Sequence, residues 1–543
     1  MASSDPPAQP QEALSTVRRS LLYTALGLAV FCQALDNTII ATAIPRITDE
    51  FQSLNDVGWW VYGAGYLVAC CALQLSFGKL YNLFPTKWVF LSSLGVFELG
   101  SLVCAVTPSS IGLIMGRVIA GAGSGGIFAG AILTIAATTP LAQRSIYNGM
   151  LGAIYALASI VGPLMGGAFT ALVTWRLCFY INLPIGFFTA ICVFIFLDTK
   201  VGHKPEFDLR LGEKLKQFDL LGMAAFIPFI VCLLLALQWG GSTFPWSDGR
   251  IIALLVLAGV LLIAFAVIEI RQGDKATVPP SVARNRTVWS SALYMFLLFG
   301  SYIAIIYYLP IWLQAILALS PVQSGIDLLP LILPTVVFAI IAGGLVAWTG
   351  YYTWTCILSS ILATAGAALL STLQPSTSMP RWIGYQILYG VGAGLGLQQP
   401  LVAIQTALPE ARISEGTAIL VFMQNFGGAV VLAIAQSIFN NTLVRNVRAQ
   451  NVPVDANLLL TQGATRLTSN VPAEYLPQIR QAYNDSIDQT FYVALATAAL
   501  SLAGSAAMPW LSVKHKKSEP EPAAAKDSGD EEKRVPSTSK SLD

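Results

Sequence analysis

Fourteen long apolar runs constrain this 543-residue chain more than any other feature. They lie at roughly 21–44, 57–77, 88–106, 111–137, 147–171, 177–197, 218–238, 250–269, 288–310, 323–346, 355–373, 382–405, 416–440 and 489–511. Each is near the roughly 20 residues that carry a helix across a bilayer. Inside hydrocarbon every backbone polar group must be satisfied within its own segment, so runs of this length can only be helices. Charged residues make up 11% of the chain, against about 25% in soluble proteins. The expected fold class is an all-α polytopic membrane protein with fourteen transmembrane helices.

An even number of spans puts both termini on one side. With the termini inside, all 13 Lys fall on the inner side, as the positive-inside rule demands of a cytoplasmic face. The expected location is a cell membrane, with a vacuolar or vesicle membrane as the alternative. The opening MASSDPPAQPQEALSTV lacks the pattern of a cleavable signal peptide. The run after Arg18 and Arg19 therefore reads as a retained signal anchor. A net charge of +2 gives no reason to expect nucleic acid. All eight Cys lie in apolar runs and the chain has two His, so no metal or other cofactor is expected. Neither a nucleophile–base set nor a G-x-x-x-x-G-K-[ST] motif is visible, and the chain is not expected to be an enzyme. Sequons at Asn440 and Asn484 fall on the outer side as candidate glycan acceptors.

The spans are not a featureless series. Arg117-VIA-Gly121-A-Gly123-S-Gly125 in the fourth is matched by Gln386-ILY-Gly390-V-Gly392-A-Gly394 in the twelfth, at a constant offset of 269. Gly78, Leu80 and Pro85 are matched by Gly343, Leu345 and Gly350 at an offset of 265. Matching spans are eight apart, which implies two six-helix halves with two helices inserted between them. The expected layout is a disordered cytoplasmic N-terminus (1–20), a first half (21–197), basic loops with two inserted helices (198–287), a second half (288–511) containing a long outer loop (441–488), and a disordered cytoplasmic tail (512–543). Parallel halves with a site between them are one recognised transporter plan.

The fifth span carries Ala158-SIV-Gly162-Pro163-LM-Gly166-Gly167, with small residues 158, 162 and 166 on one face. Such a face lets another helix approach closely, and Pro163 permits a bend. This run resembles the antiporter motif of drug-efflux branches of the major facilitator superfamily. Leu35-Asp36-x-Thr38-Ile39-Ile40 through Ala43-x-Pro45 resembles the first-helix motif of its fourteen-span drug:proton antiporters. Arg117 with its glycine ladder resembles the fourth-helix motif, where the family places an arginine implicated in proton coupling. Trp175-Arg176-x-x-Phe179-x-Ile181-Asn182-x-Pro184-x-Gly186 resembles the same group. The resemblance spans about 20–511 and is closest in character to fungal pumps that export toxins and secondary metabolites. It departs from the family in the loop Gly78 to Lys87, where Asn82 and Leu83 stand at the usual Asp and Arg positions. Gly78, Asn82 and Lys87 are read as a gate held by packing and hydrogen bonds, with a charge-paired gate disfavoured.

Charges inside spans are costly and usually face a cavity or a partner. Asp36, Arg117 and Glu98 are the proton-coupling candidates. Asp36 is either a proton site or a structural residue bonded to neighbouring backbone or to Asn37 and Thr38. Arg117 shows no local carboxylate partner in sequence, and the partner of Glu98 is either Arg117 or water. Tyr302, Tyr307, Gln314, Gln398, Gln424 and Asn425 suggest a cavity for a bulky, largely apolar ligand. The expected function is export of a hydrophobic small molecule, driven by inward proton movement, by a monomer in the lipid bilayer. An importer or uniporter for a siderophore or nutrient is the alternative.

Overall fold

In the computed structural model, each of the fourteen apolar runs overlaps a helix. The structure describes residues 16–40, 43–51, 65–199, 201–202, 205–241, 244–450, 472 and 474–514. The long helices are α1 (Thr16–Ile39), α2 (Tyr66–Leu83), α3 (Thr86–Val106), α4 (Ser110–Thr138), α5 (Leu141–Leu172), α6 (Leu177–Phe196), α7 (Leu220–Trp239), α8 (Gly249–Gln272), α9 (Arg286–Leu317), α10 (Leu329–Thr349), α11 (Thr353–Leu370), α12 (Met379–Ala407), α13 (Ile413–Ala449) and α14 (Leu476–Ala507). No β-strand occurs among the described residues. Among the described residues, twelve helices, α3 to α14, are long and apolar enough to cross a membrane. The chain is thus a multi-pass membrane protein of the all-α class. α1 and α2 are diluted by inward-facing polar side chains: Gln33 and Asp36 in α1, and Gln74 and Lys79 in α2, are all buried. The start of the second expected span, 57–64, lies outside the described residues.

Local chemistry sets the helix ends. The side chains of Ser109, Asp219, Asp248 and Asn285 accept hydrogen bonds from backbone N–H groups at the starts of α4, α7, α8 and α9, satisfying donors that have no intrahelical partner. α12 breaks between Gly396 and Gln399. Pro400 has no N–H to donate and disfavours helical geometry in the residue before it.

Two boundaries differ from expectation. The outer loop 441–488 is partly helical, because α13 continues to Ala449 and α14 already starts at Leu476. Polarity there marks pairing rather than loop: Asn446 donates to the Ser486 hydroxyl at 3.2 Å, and Leu443, Val447, Ile479 and Tyr483 are buried. At 1.5 Å per residue, α13's 37 residues span about 55 Å, well beyond the roughly 30 Å of hydrocarbon. The first helix begins at Thr16 rather than near residue 21. Residues 1–15, 451–471 and 515–543, where the tails and most of the loop were expected, lie outside the described residues.

The pairing of helices in α1–α6 recurs eight helices later. The pairs α3·α4, α1·α5, α2·α4, α1·α6 and α3·α6 reappear as α11·α12, α9·α13, α10·α12, α9·α14 and α11·α14. The glycine ladders show it at atomic scale. A Cβ on Gly121 would lie 2.2 Å from the Tyr66 carbonyl, and one on Gly390 would lie 2.2 Å from that of Leu331. Gly123 meets the Phe97 nitrogen at 2.4 Å, and Gly392 meets that of Ala363 at 2.3 Å. The two groups of helices meet along α5·α10 and α2·α13, themselves a symmetric pair. α7 packs on α2 and α13 and pairs with α8. α8 turns Ile252, Val256, Val260, Ile263 and Ile270 outward.

Candidate functional site

α1 and α4 bring Asp36 and Arg117 together in the interior of α1–α6. An Arg117 Nη1 donates to Asp36 Oδ2 at 2.5 Å, with both side chains fully buried. Arg117 also donates to the Asp36 carbonyl at 3.3 Å, and its guanidinium lies 4.5 Å from the centre of the Tyr66 ring. Asn182 of α6 donates to Asp36 Oδ1 at 3.2 Å and to the Ser101 hydroxyl of α3 at 3.2 Å. One carboxylate therefore ties α1 to α4 and α6. Arg117 does have a carboxylate partner, 81 positions away, and it is Asp36 rather than Glu98. Thr38 bonds to the carbonyls of Ala34 and Leu35 and to that of Ala158, not to Asp36. Both carboxylate oxygens of Glu98 are enclosed without a hydrogen-bond partner. Glu98 packs against α6, where a Cβ on Gly186 would lie 1.8 Å from its Oε1.

The small-residue face of α5 meets α1. A Cβ on Gly162 would lie 2.1 Å from the Thr38 hydroxyl oxygen and 3.1 Å from the Ile39 nitrogen. Ala158, Gly162 and Gly166 are all buried, and Pro163 sits inside the continuous helix. Gly167 points into open space, so the contact uses the first three small positions.

At the end of the bundle that carries both described termini, α2 and α13 close on each other through a charge network the sequence reading missed. Lys79 Nζ lies 3.1 Å from Glu415 Oε1, with 5% and 0% side-chain exposure. Arg412 donates to both oxygens of Glu415, at 3.3 and 3.1 Å, and reaches Asp274 at 3.4 Å. Asn82 donates to Glu415 Oε1 at 3.4 Å and accepts from Ser414 at 3.4 Å. Gly78 brings the backbones together, since a Cβ there would lie 2.7 Å from that of Ala418. The contact is thus charge-paired as well as hydrogen-bonded, correcting the expectation of an uncharged gate. The charge comes from Lys79 and not Lys87. Lys87 donates to the Phe194 carbonyl at 2.7 Å and stays within α1–α6. On the symmetric side, Gly149 and Gly343 bring α5 and α10 into the same kind of contact, against Ala339 and Ser145.

Between the two groups of helices lies a small cavity of about 20 Å³, room for about one water. Three expected residues, Tyr302, Gln398 and Gln424, line it together with Phe128, Tyr155 and Phe299. The others lie elsewhere. Gln314 donates to Ser324 at 2.8 Å near the opposite end. Tyr307 packs against the Tyr308 ring, and Asn425 reaches the Cys70 sulfur at 3.9 Å.

Asn484 is not at the surface. It is fully buried, accepts from the Trp312 indole at 2.8 Å, and donates to the Leu373 carbonyl and Asp488 at 3.0 Å each. Its amide nitrogen is engaged, which leaves no room for a glycan in this fold. Asn440 is partly exposed on α13. At the same end, Trp175 and Arg176 hold Glu50 of the short helix Ile44–Phe51, at 2.6 and 2.7 Å. The hydrogen bond from Trp175, followed by that from Arg176, holds the Glu50 carboxyl below the usual carboxylate range.

Two matched groups of membrane helices that meet at a small, largely aromatic cavity, with a buried ion pair inside the first group, have the architecture of a solute transporter. The family model described as Major Facilitator Superfamily matches residues 26–432, and the chain belongs to that superfamily. The chain is 56% identical over 442 residues to the MFS-type efflux pump elcC of Phaeosphaeria nodorum, covering 81% of this chain and 79% of the relative. It is 51% identical to the MFS-type transporter astH of Aspergillus oryzae, over 92% of this chain and 88% of that one. It is 50% identical to the efflux pump roqT of Penicillium rubens, over 91% of each. Among solved structures, the human organic anion transporter MFSD10 aligns with a TM-score of 0.56 at 14% identity, over 91% of this chain and all of that chain. The proton:xylose symporter XylE aligns with a TM-score of 0.56 at 13% identity, over 90% of this chain and 95% of that chain. At such identities the structures attest the fold alone.

Proposed function

We propose that the chain is a proton-coupled exporter that moves a hydrophobic small molecule, of the toxin or secondary-metabolite kind, outward across a cell membrane. Relatives at 50–56% identity that are named efflux pumps support the direction. The observation that carries the coupling is the Asp36–Arg117 pair, fully buried among α1, α4 and α6. Under this reading residues 21–197 and 288–511 act as two halves that rock about the cavity, with both termini in the cytoplasm and the monomer as the working unit.

Protonation of Asp36 removes its charge and weakens the tie from α1 to α4 and α6. α1 meets α5 at Gly162, and α5 meets α10 of the other half at Gly149. A change at Asp36 therefore has an unbroken packed route to the interface between the halves. Each proton moving inward gains about 2.3 kcal/mol per 100 mV. Glu98, enclosed without a partner, is the second proton acceptor to test.

The test is pH-driven uptake into inverted vesicles. Asp36→Asn should abolish the dependence on the pH gradient while the protein still inserts, and Arg117→Ala should do the same. Gradient-driven uptake that survives both substitutions would falsify the coupling role. Uptake into right-side-out vesicles instead would mark an importer.

A further inference from the structure

We propose that the inserted pair α7–α8 travels with the second group of helices, and that α2 parts from it when the two groups rock. The proposal rests on the rocking motion stated above and gives the inserted pair its place in it.

α7 lies over the seam between α2 and α13 and touches both. Its Phe226, Phe229 and Ile230 share one buried apolar cluster with Cys71 and Leu75 of α2 and with Phe422 of α13. Opening of that seam must strip α7 from one side. The contacts on the two sides differ in kind.

Toward the second group, ties run along the whole pair. Asp219, which caps α7 at the termini-bearing end, accepts from the Gln272 side chain of α8 at 2.5 Å and from the N–H and hydroxyl of Thr277 at 3.1 Å each. Glu269 of α8 accepts from the N–H groups of Thr277 and Val278 at 3.2 and 2.7 Å. These bonds fasten both helices to the segment 273–278, in which Ala276 and Thr277 are buried. That segment leads through the short helix Pro280–Ala283 into α9, and Val282 is buried in the core that α9 helps to form. Asp274 reaches Arg412, next to the start of α13, at 3.4 Å. Farther along α7, the Phe226 ring stands edge to face with that of Phe422 at 5.4 Å. At the opposite end, Trp246 donates to the Ser437 hydroxyl of α13 at 3.0 Å, and a Cβ on Gly241 would lie 2.6 Å from the same oxygen.

Toward α2 the contact is mainly apolar. Ser76 donates to the Met223 sulfur at 3.0 Å, and a thioether is a weak acceptor. Lipid chains are as apolar as the side chains they would replace, so an apolar helix contact in a membrane is given up at small cost. The polar ties and the direct chain connection to α9 have no such substitute. The link from α6 to α7 keeps to the first group, since Lys214 Nζ lies 5.0 Å from the centre of the Phe84 ring just past α2. The chain therefore passes from one group to the other between Lys214 and Asp219, and α2·α7 is the surface that moves.

The experiment uses the full chain in membrane vesicles with Ala156→Cys, a cavity-lining position. One version adds Ser76→Cys and Met223→Cys, joining α2 to α7. Another adds Phe226→Cys and Phe422→Cys, joining α7 to α13. Each added pair is bridged by a short, reducible bis-methanethiosulfonate, and intact mass verifies the bridge. Maleimide labelling at position 156 from the termini-bearing side is then read by peptide mass spectrometry. Every bridged sample is compared with itself after reduction, so the effects of the substitutions cancel. The α2–α7 bridge should slow labelling about tenfold or more, equivalent to about 1.4 kcal/mol, and reduction should restore the rate. The α7–α13 bridge should leave the rate unchanged. Slowing by the α7–α13 bridge alone would place the inserted pair with the first group and overturn the proposal. Slowing by both bridges, or by neither, would overturn it as well. If position 156 is never labelled in the unbridged protein, the rocking reading itself falls and the proposal falls with it.

Discussion

Glu415 offers the sharpest test of how the two helix groups hold together. It accepts from Lys79, Asn82 and Arg412, and both it and Lys79 are almost completely buried. Glu415→Gln leaves the shape nearly unchanged and strands the Lys79 ammonium inside the contact. Removing one partner of a buried pair costs about 3–5 kcal/mol. The Arg412 contact adds little, because that side chain is 29% exposed and keeps Asp274. Separation of α2 from α13 hydrates Lys79 and relieves the cost, so the penalty falls on the closed arrangement. At about 1.4 kcal/mol per decade, this cost of about 3–5 kcal/mol should lower the closed-to-open ratio by about two to three and a half decades. The assay is labelling of Ala156→Cys, a cavity-lining position, by an impermeant maleimide from the termini-bearing side; the parent chain serves as blank because its described cysteines are all buried. Labelling should accelerate at least tenfold in Glu415→Gln. The double variant Lys79→Met/Glu415→Leu, which replaces the pair by apolar groups, should return it toward the parental rate. An unchanged rate in the single variant, or a double variant as reactive as the single, would show that packing at Gly78 alone keeps this end shut.

Three further outcomes follow from the geometry. Gly162→Val places a branched side chain where even a Cβ would lie 2.1 Å from the Thr38 oxygen; it should separate α1 from α5, lower thermal stability by about 1–3 kcal/mol and abolish transport, whereas Gly167→Ala, facing open space, should be silent in both measurements. Glu50 is held below its ordinary range by Trp175 and then Arg176, so its stabilising contribution is complete above the unfolded carboxyl pKa and is lost as pH falls through the depressed folded value; thermal melts of the detergent-purified protein should lose stability on acidification more steeply than those of Glu50→Gln. Asn484→Gln should leave gel mobility unchanged before and after deglycosylation, while destabilising the fold through loss of the Trp312 and Leu373 contacts.

The helices were legible because lipid imposes one rule on every span, and apolar runs of the right length record it directly. The repeat was legible because close backbone approach admits only glycine, and such positions leave a mark in the sequence: Gly121 and Gly123 against Gly390 and Gly392. What one chain read in order does not show is which distant residues meet. Asp36 and Arg117 were each visible as charges at membrane depth, but their pairing was not. Glu415 was invisible for another reason. At the edge of a span a carboxylate reads as a solvated first turn of a helix, and only the arrival of Lys79, 336 positions away, makes it a buried partner. Asn484 misled because a sequon is a local pattern, indifferent to the polar packing that draws α14 out to Leu476. The signal available there was Trp312, whose buried indole N–H needs an acceptor.

The repeat is matched in backbone and broken in charge, and the break bears on how coupling must run. Arg117 in α4 corresponds to Gln386 in α12, a buried amide whose nitrogen and oxygen both lack hydrogen-bond partners. The first group of helices carries the ion pair. The second carries the neutral amides Gln398 and Gln424 that line the cavity. Under the proposed function, proton energy enters one half and ligand recognition rests largely on the other, so neither half can couple alone. The joint between them must transmit the change, and it consists of two contacts related by the repeat, α5·α10 and α2·α13. Only α2·α13 carries the Lys79–Glu415–Arg412 network. Its symmetry mate relies on glycine packing at Gly149 and Gly343. A packed contact resists separation through its buried area alone. A charged one also weakens when its groups are hydrated, so α2·α13 is the side on which opening at the termini-bearing end should begin.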